Sequence, residues 1–121
     1  LARQAAELYR GDLLPGDRYY DWIELKREHY RAMFFSISAL AARICLELDM
    51  PLEALNYCER ALLMNPGKEH IVELSMEANL ELGRREEAMK DFHECKTYLS
   101  EELGLDPGNR LSKLYAKALE D

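Results

Sequence analysis

Three cysteines and one nearby histidine are the residues of this chain best suited to metal or redox chemistry. Cys45, Cys58 and Cys95 are odd in number and include no Cys-x-x-Cys pair, so neither a disulfide framework nor a paired metal motif is indicated. His93 and Cys95 form one close pair of soft ligands, whereas a zinc site usually needs three or four ligands. We therefore expect the cysteines to be packing residues, because a free thiol behaves as a small apolar side chain.

The remaining motifs do not assemble a catalytic or phosphate-binding site. Gly11 and Gly16 have the outer spacing of a phosphate-binding loop, but no Gly-Lys-Ser/Thr follows them. Neither a nucleophile elbow nor a zinc-binding helix motif occurs, and the many carboxylates fall on predicted solvated helices. The sequence therefore predicts a protein that is not an enzyme and that uses no cofactor or metal.

Four glutamates at four-residue spacing form the most informative charged feature, which we call the glutamate stripe: Glu69, Glu73, Glu77 and Glu81. Like charges at this spacing on a helix repel by roughly 0.2–0.5 kcal/mol per pair, and the helix N-terminus favours only the first of them. One interpretation is a solvated face that tolerates the repulsion. The alternative, our site hypothesis, is a contact strip for a basic segment of a partner protein.

The elements that position these residues recur with a period of 34 residues. Residues 46–55 align with residues 80–89, and five positions are identical, among them Ala54 with Ala88. This period is typical of the tetratricopeptide repeat, in which each unit is a pair of antiparallel helices. We predict an all-α fold without strands, a tetratricopeptide-like helical repeat array of about six antiparallel helices.

Turn-forming residues divide the chain at matching places. Breaks are predicted at Asp49 to Pro51, at Asn65-Pro66-Gly67, at Gly83 and at Gly104. From these breaks we predict one domain over residues 1–121. It comprises a leading helix and loop at 1–20, a first repeat at 35–68, a second repeat at 69–103 and a capping helix at 104–121.

The capping helix is predicted to begin at Asp106-Pro107, since aspartate suits an N-cap and proline suits the first turn. Its apolar side chains fall on one face, which comprises Leu111, Leu114, Tyr115, Ala118 and Leu119.

The first third of the chain is predicted to hold a short helix over residues 1–9, a loop over 10–17 and a long helix from about Asp21 to Leu48. Tyr19, Tyr20 and Trp22 lie at the start of this long helix. We expect them to anchor the preceding loop and helix, although tyrosine and tryptophan are also favoured in binding hot spots.

The net charge of −7 is spread unevenly, since residues 67–103 carry ten acidic and five basic side chains. Affinity for nucleic acid depends on lysines and arginines that neutralise phosphates, so we predict no direct nucleic-acid binding by this chain. Its apolar runs are too short for a membrane span, and no secretory signal pattern opens it. We expect a cytoplasmic protein with no membrane contact.

Three segments of the sequence resemble the bacterial transcriptional activator domain, a tetratricopeptide-like module of regulators related to the antibiotic regulatory proteins. The first is residues 7–16, Glu-Leu-Tyr-Arg-Gly-Asp-Leu-Leu-Pro-Gly, with Tyr20-Asp21-Trp22 and Lys26-Arg27-Glu28. The second is Gly-Arg-Arg-Glu-Glu-Ala at residues 83–88. The third is Leu-Ser-Glu-Glu-Leu-Gly-Leu-Asp-Pro at residues 99–107, followed by Leu114-Tyr115.

This resemblance implies a winged-helix DNA-binding domain upstream, and the chain's start, without an initiator Met, leads us to expect a segment of a longer polypeptide. It also implies that the module activates transcription by contacting RNA polymerase or by responding to attached sensory domains. The middle of the chain departs from the family's pattern, having Ile, Met, Lys and Cys where many relatives are rich in Ala and Arg. The glutamate stripe is a further departure.

Two functions remain as alternatives. The first is a protein-protein interaction and regulatory module that docks an RNA polymerase subunit, a partner, or its own DNA-binding or sensory domain. The second is a generic tetratricopeptide adaptor that binds peptides, or an oligomerisation module of a multidomain signalling protein. A homodimer is compatible with either function.

Overall fold

The computed structural model describes residues 17–120, and every regular element within them is helical. Five helices follow one another: α1 (Asp17–Glu47), α2 (Pro51–Met64), α3 (Glu69–Glu81), α4 (Arg85–Tyr98) and α5 (Asn109–Glu120). The all-α prediction is confirmed. The predicted number of about six is slightly too high for the described residues, because the short helix predicted over residues 1–9 lies outside them.

Helix α1 contains 31 residues and begins four residues before the position predicted for it. Contacts within the chain divide it into two compact units, Leu1–Phe34 and Phe35–Asp121, and the boundary falls inside α1. No helix in residues 17–120 is both long enough and apolar enough to cross a membrane.

The turns that end α1 and α3 have the same backbone geometry, 34 residues apart. Asp49 and Gly83 both adopt the left-handed conformation, with φ of 60° and 73°. This conformation favours glycine, because a side chain at Cβ crowds the following carbonyl, although aspartate tolerates it better than most residues. The residue after each donates its N–H to a carbonyl five positions earlier, Met50 to Cys45 at 2.7 Å and Arg84 to Asn79 at 2.7 Å.

The core is centred on α3, which packs against α2, α4 and α5. Ile71, Val72, Leu74, Met76 and Ala78 are all at most 2% exposed and occupy a broad face of the helix opposite the glutamate stripe. An apolar face wider than the single stripe of a surface helix must be covered by more than one neighbouring helix. Consequently α3 is the element on which the remaining helices of Phe35–Asp121 are assembled.

Positions related by the 34-residue period share their burial in α2 and α4. Ala54 and Ala88 are both fully buried, as the need for a small residue between closely packed helices predicts. Cys58 and Phe92, one turn later in each helix, are also buried. The period read from the sequence therefore marks the inward-facing side of each helix.

Helix α4 continues into a π-helical turn, Leu99–Leu103, which ends at the break predicted at Gly104. Gly104 closes the turn with φ of 63°, and its N–H donates to the carbonyl of Ser100. The predicted glycine stop is therefore confirmed.

The predicted start of the last helix is wrong by about two residues. Helix α5 begins at Asn109, and the carbonyl of Gly108 accepts its first hydrogen bond, so the Asp106-Pro107 pair lies before the helix. A carboxylate from another helix takes the expected place of Asp106, because Glu69 Oε1 accepts a hydrogen bond from the Gly108 N–H. Glu69 thus supplies a carboxylate at the helix start that the sequence assigned to Asp106.

Helix α5 packs its apolar face on α3 and α4 largely as predicted. Leu111 and Ala118 are buried, Leu114 and Tyr115 are partly buried, and Leu119 is half exposed. The ring of Tyr115 stacks on that of Phe92 with the centroids 4.3 Å apart. Stacked aromatic pairs add roughly 0.5–1.5 kcal/mol beyond the burial of their area.

Candidate functional site

The first half of the glutamate stripe lies against the start of α5. Glu69 Oε1 is 2.6 Å from the N–H of Gly108. The Glu73 side chain is 13% exposed, and its two oxygens lie 3.6 Å from Arg110 Nε and 3.7 Å from His70 Nδ1. Both carboxylates therefore lie beside a helix N-terminus, where negative charge is favoured.

The second half of the stripe lies towards α1. Arg43 Nη1 donates a hydrogen bond to Glu77 Oε2 at 3.0 Å, and both side chains are partly exposed. Glu81 is exposed and makes no ion pair with the described residues. Three of the four glutamates thus have partners inside the chain, which accounts for the tolerance of four like charges on one helix. Whether the stripe also contacts a basic partner segment stays a prediction.

Two of the three cysteines lie in the core, in agreement with the packing role expected for them. Cys58 and Cys95 are 0% and 1% exposed, Cys45 is partly buried, and all three are free thiols. Burial raises the pKa of Cys58 to about 12, with a further contribution from the charge of Asp91. Burial likewise raises the pKa of Cys95 to about 11, so neither thiol ionises near neutral pH to act as a nucleophile.

The histidine of the candidate metal pair points away from its cysteine. His93 is exposed, and its Nε2 lies 3.2 Å from the hydroxyl of Tyr115, whereas Cys95 is in the core. Within residues 17–120 no group of three His, Cys, Asp or Glu side chains is arranged to hold a metal ion. The pair contributes to packing against α5, since His93 also contacts the Tyr115 ring edge-on at 5.1 Å.

The aromatic residues at the start of α1 contact one another. The Tyr19 ring lies 6.2 Å from that of Tyr20 and 6.5 Å from that of Trp22, and Lys26 Nζ lies 4.7 Å from the centroid of the Trp22 ring. Tyr19 and Tyr20 are more than half exposed. Their predicted anchoring of residues 1–17 concerns a segment that lies outside the described residues, apart from the backbone of Asp17.

A groove between α2 and α4, with α3 as its floor, is a feature that the sequence reading missed; we call it the α2–α4 groove. Its floor contains Ser75 and Asn79, two polar residues that are 3% and 5% exposed on the buried and otherwise apolar face of α3. Both donate to one atom of α4: Ser75 Oγ lies 2.7 Å and Asn79 Nδ2 lies 2.9 Å from Asp91 Oδ2. The floor therefore holds an aspartate in a fixed orientation.

One face of α2 and one face of α4 form the walls of the groove. The α2 wall consists of Leu55, Glu59, Leu62 and Leu63, which follow the spacing of a single helix face. The α4 wall consists of Glu87, Asp91, Glu94 and Cys95, which follow the same spacing. One wall is mainly apolar and the other mainly acidic.

The charge within the groove is negative. Four of its described lining residues are acidic and one is basic: Glu59, Glu87, Asp91, Glu94 and Arg84. Burial raises the pKa of Asp91 above its ordinary value; the hydrogen bonds from Ser75 and Asn79 oppose this rise, and the charges of Glu94 and Glu87 add to it. Asp91 forms no ion pair with any described residue.

A signal for this groove was present in the sequence. Ser75 and Asn79 are polar residues four apart on the helix face that otherwise carries apolar residues, and buried polar side chains require hydrogen-bonding partners. The identity of the partner was not readable, because Asp91 is 12 and 16 residues away along the chain and lies on a different helix.

Two comparisons place the chain among known proteins. The family model described as the bacterial transcriptional activator domain matches residues 1–119. The chain is similar to the regulatory protein AfsR of Streptomyces coelicolor, being 28% identical over 122 residues that comprise 99% of this chain and 12% of that protein. No solved structure matches the chain. Because the family model covers nearly its whole length, the chain belongs to the bacterial transcriptional activator domain family.

Proposed function

We propose that this chain is the protein-docking and regulatory module of a cytoplasmic bacterial transcriptional regulator, and that it acts without catalysing a reaction. The observation that carries the proposal is the family match over residues 1–119. The partners we propose are a subunit of RNA polymerase, the regulator's own DNA-binding domain or an attached sensory domain. The chain spans 12% of the length of the AfsR protein, so the DNA-binding domain that we expect upstream belongs to the rest of the polypeptide.

Docking through protein contacts agrees with the charge of the chain. The net charge of the chain is −7 and the α2–α4 groove is acidic, so neither this balance nor the groove favours the binding of phosphates. A regulator built in this way contacts DNA through a separate domain. This module then supplies the contacts that convert DNA binding into activation.

In vitro transcription with the full-length polypeptide tests this function. Removal of the segment that corresponds to residues 1–121 is expected to abolish activation while DNA binding in a gel-shift assay persists. A regulator that activates normally without the segment refutes the proposal. The DNA-binding measurement is the control, since a regulator that no longer binds its promoter fails for an unrelated reason.

We also propose that α1 to α4 form two tetratricopeptide-like units, with residues 35–68 and 69–103 as the repeats. The matched left-handed turns at Asp49 and Gly83 and the matched buried alanines, Ala54 and Ala88, support this arrangement. The same features support the second candidate function, a generic peptide-binding adaptor or an oligomerisation module. Sedimentation of the full-length protein shows whether it forms oligomers. Activation of transcription by the monomer would favour the docking module over the oligomerisation module.

The glutamate stripe is proposed as a partner contact only through its exposed end. Charge reversal at Glu73 or Glu77 also breaks the intramolecular contacts of these residues with Arg110 and Arg43, so their loss would confound the result. Glu81 is free of such contacts within the described residues. Unchanged activation by a Glu81→Lys variant over a series of salt concentrations would remove this face from consideration.

A further inference from the structure

The α2–α4 groove presents a carboxylate that is held in place and only partly used. Both internal hydrogen bonds of Asp91 end on Oδ2, and Oδ1 accepts no hydrogen bond from a described residue. Ser75 and Asn79 therefore fix the orientation of the side chain and leave one oxygen unoccupied. The charge-assisted hydrogen bonds that lysine and arginine donate to carboxylates are among the strongest in proteins, so Oδ1 is suited to a cation.

The opposite wall of the groove is apolar and accessible. Leu63 is 86% exposed, the most exposed of the large apolar residues described, and Leu62 beside it is partly buried. Leu55 lies two turns earlier on the same face of α2. This wall faces α4 across the groove, so a bound segment would meet apolar contacts on one side and carboxylates on the other.

The charges near Asp91 reinforce its preference for a cation. Glu59, Glu87 and Glu94 line the same groove, and Arg84 is the one basic residue among the described lining residues. Lys90 lies 3.9 Å from Glu94, but both side chains are about two-thirds exposed, so this pair is weak. An excess of negative charge remains for a ligand to neutralise.

We propose that the α2–α4 groove binds a basic, amphipathic segment of a second protein, with a lysine or arginine on Asp91 Oδ1 and apolar side chains on Leu62 and Leu63. This inference rests on the proposed docking function and names the surface and the chemistry of its partner. It differs from the glutamate-stripe hypothesis, because the groove lies between α2 and α4, whereas the stripe lies against α1 and α5.

The charge of the groove selects among possible occupants. A nucleic acid would bring negative phosphates to a negative surface. A second copy of this chain, with a net charge of −7, would also bring like charge. A polyamine would satisfy the carboxylates but would leave the leucine wall exposed. A basic protein segment with an apolar side satisfies both walls.

The test is selection from a random-peptide library displayed on phage, with the full-length polypeptide as bait. Phage that also bind a variant carrying both Asp91→Asn and Leu63→Ser are discarded, so the survivors depend on the groove. We expect the survivors to be rich in lysine or arginine and in leucine-like residues. Recovery of no such peptides, or of acidic ones, overturns the proposal.

Single variants then measure each wall with one selected peptide, by fluorescence anisotropy. Asp91→Asn is expected to weaken binding by about tenfold, since it removes the charge but keeps the internal hydrogen bonds. Leu63→Ser is expected to weaken binding by about fivefold through lost apolar contact. The matched controls are Glu86→Gln on α4 and Leu52→Ser on α2, both exposed residues outside the groove, for which we expect less than about a twofold change.

The outcomes separate this inference from the proposed function. If no peptide depends on the groove but deletion of the module still abolishes activation, the groove assignment fails and the function stands. If groove-dependent peptides bind but the module is dispensable for activation, the groove assignment stands and the proposed function fails. Concentration-dependent sedimentation that Leu63→Ser abolishes would assign the groove to a second copy and overturn the proposal of a separate protein.

Discussion

Replacement of Asp91 distinguishes the contribution of its hydrogen bonds from that of its charge. Asp91→Asn places an amide oxygen where Oδ2 stands, and this oxygen still accepts the hydrogen bonds from Ser75 and Asn79. Asp91→Ala leaves both donors on the groove floor without an acceptor. The two variants therefore remove the same charge and differ in whether the hydrogen bonds survive.

The expected difference between the variants follows from the burial of the two donors. Ser75 and Asn79 are at most 5% exposed, so water reaches them poorly when Asp91 is shortened. A buried polar group without a partner costs about 1–3 kcal/mol, and we expect Asp91→Ala to be less stable than Asp91→Asn by about this amount. Asp91→Asn is expected to be at least as stable as the natural sequence at pH 7, since burial disfavours the ionised carboxylate.

The pH dependence of stability gives an independent check on whether the ionised Asp91 destabilises the fold. The folded state raises the pKa of Asp91, so the folded state binds a proton more readily than the unfolded state does. The stabilisation that the protonated group contributes is complete below the unfolded pKa of about 3.9 and is lost as the pH rises through the higher folded value. The free energy of unfolding of Asp91→Asn, relative to that of the natural sequence, is therefore expected to increase as the pH rises from about 4 through the folded pKa of Asp91.

Urea unfolding of the 121-residue chain and its two variants, followed by circular dichroism at several pH values, measures these differences. The reasoning is refuted if Asp91→Asn is as unstable as Asp91→Ala at pH 7, because the charge itself would then stabilise the fold. It is also refuted if the difference between Asp91→Asn and the natural sequence shrinks as the pH rises. Glu86→Asn, at an exposed position of α4, is the control for replacement of a surface carboxylate.

Five further substitutions test the turns and the cap on α5, and each is measured by the free energy of unfolding in urea. Asp49→Gly is expected to stabilise the chain and Gly83→Asp to destabilise it, each by about 1 kcal/mol, since both positions are left-handed; equal effects in the same direction would contradict this. Gly67→Ala is expected to cost about 1–3 kcal/mol, because its Cβ would lie 2.8 Å from the Tyr98 ring, and a neutral result would show that the ring moves freely. Glu69→Ala is expected to cost about 1 kcal/mol through loss of the cap on α5, whereas Glu69→Gln keeps an acceptor and should cost less; equal losses would assign the effect to charge alone.

The turns that end α1 and α3 place aspartate and glycine at positions of the same backbone conformation. Asp49 precedes Gly83 by 34 residues, and it adopts the left-handed conformation without the freedom that glycine has. Its sequence neighbours predicted a break, but the conformation of Asp49 follows from the hydrogen bond that Met50 donates to Cys45. The backbone hydrogen bond from Met50 to Cys45 thus stabilises the turn, and the aspartate side chain is compatible with it.

The sequence predicted the helices and their inward faces because both depend on local chemistry. Proline and glycine interrupt backbone hydrogen bonding wherever they occur, so the breaks near Pro51, Gly83 and Gly104 were readable. The burial of Ala54 and Ala88 agrees with the 34-residue period, because the same small residue recurs at one helical position. Family membership was readable as well, from the opening and closing segments.

Tertiary structure decided the partners of the charged residues, because those partners come from other helices. The glutamate stripe was visible as a spacing, yet only the packing of α3 between neighbours brings Glu77 to Arg43 and Glu69 to the start of α5. The start of α5 likewise lies at Asn109 and not at Asp106. The packing of the helices also set Asp91 over two buried donors and formed the α2–α4 groove, since an electrostatic contact depends on distance in space and a sequence fixes only distance along the chain.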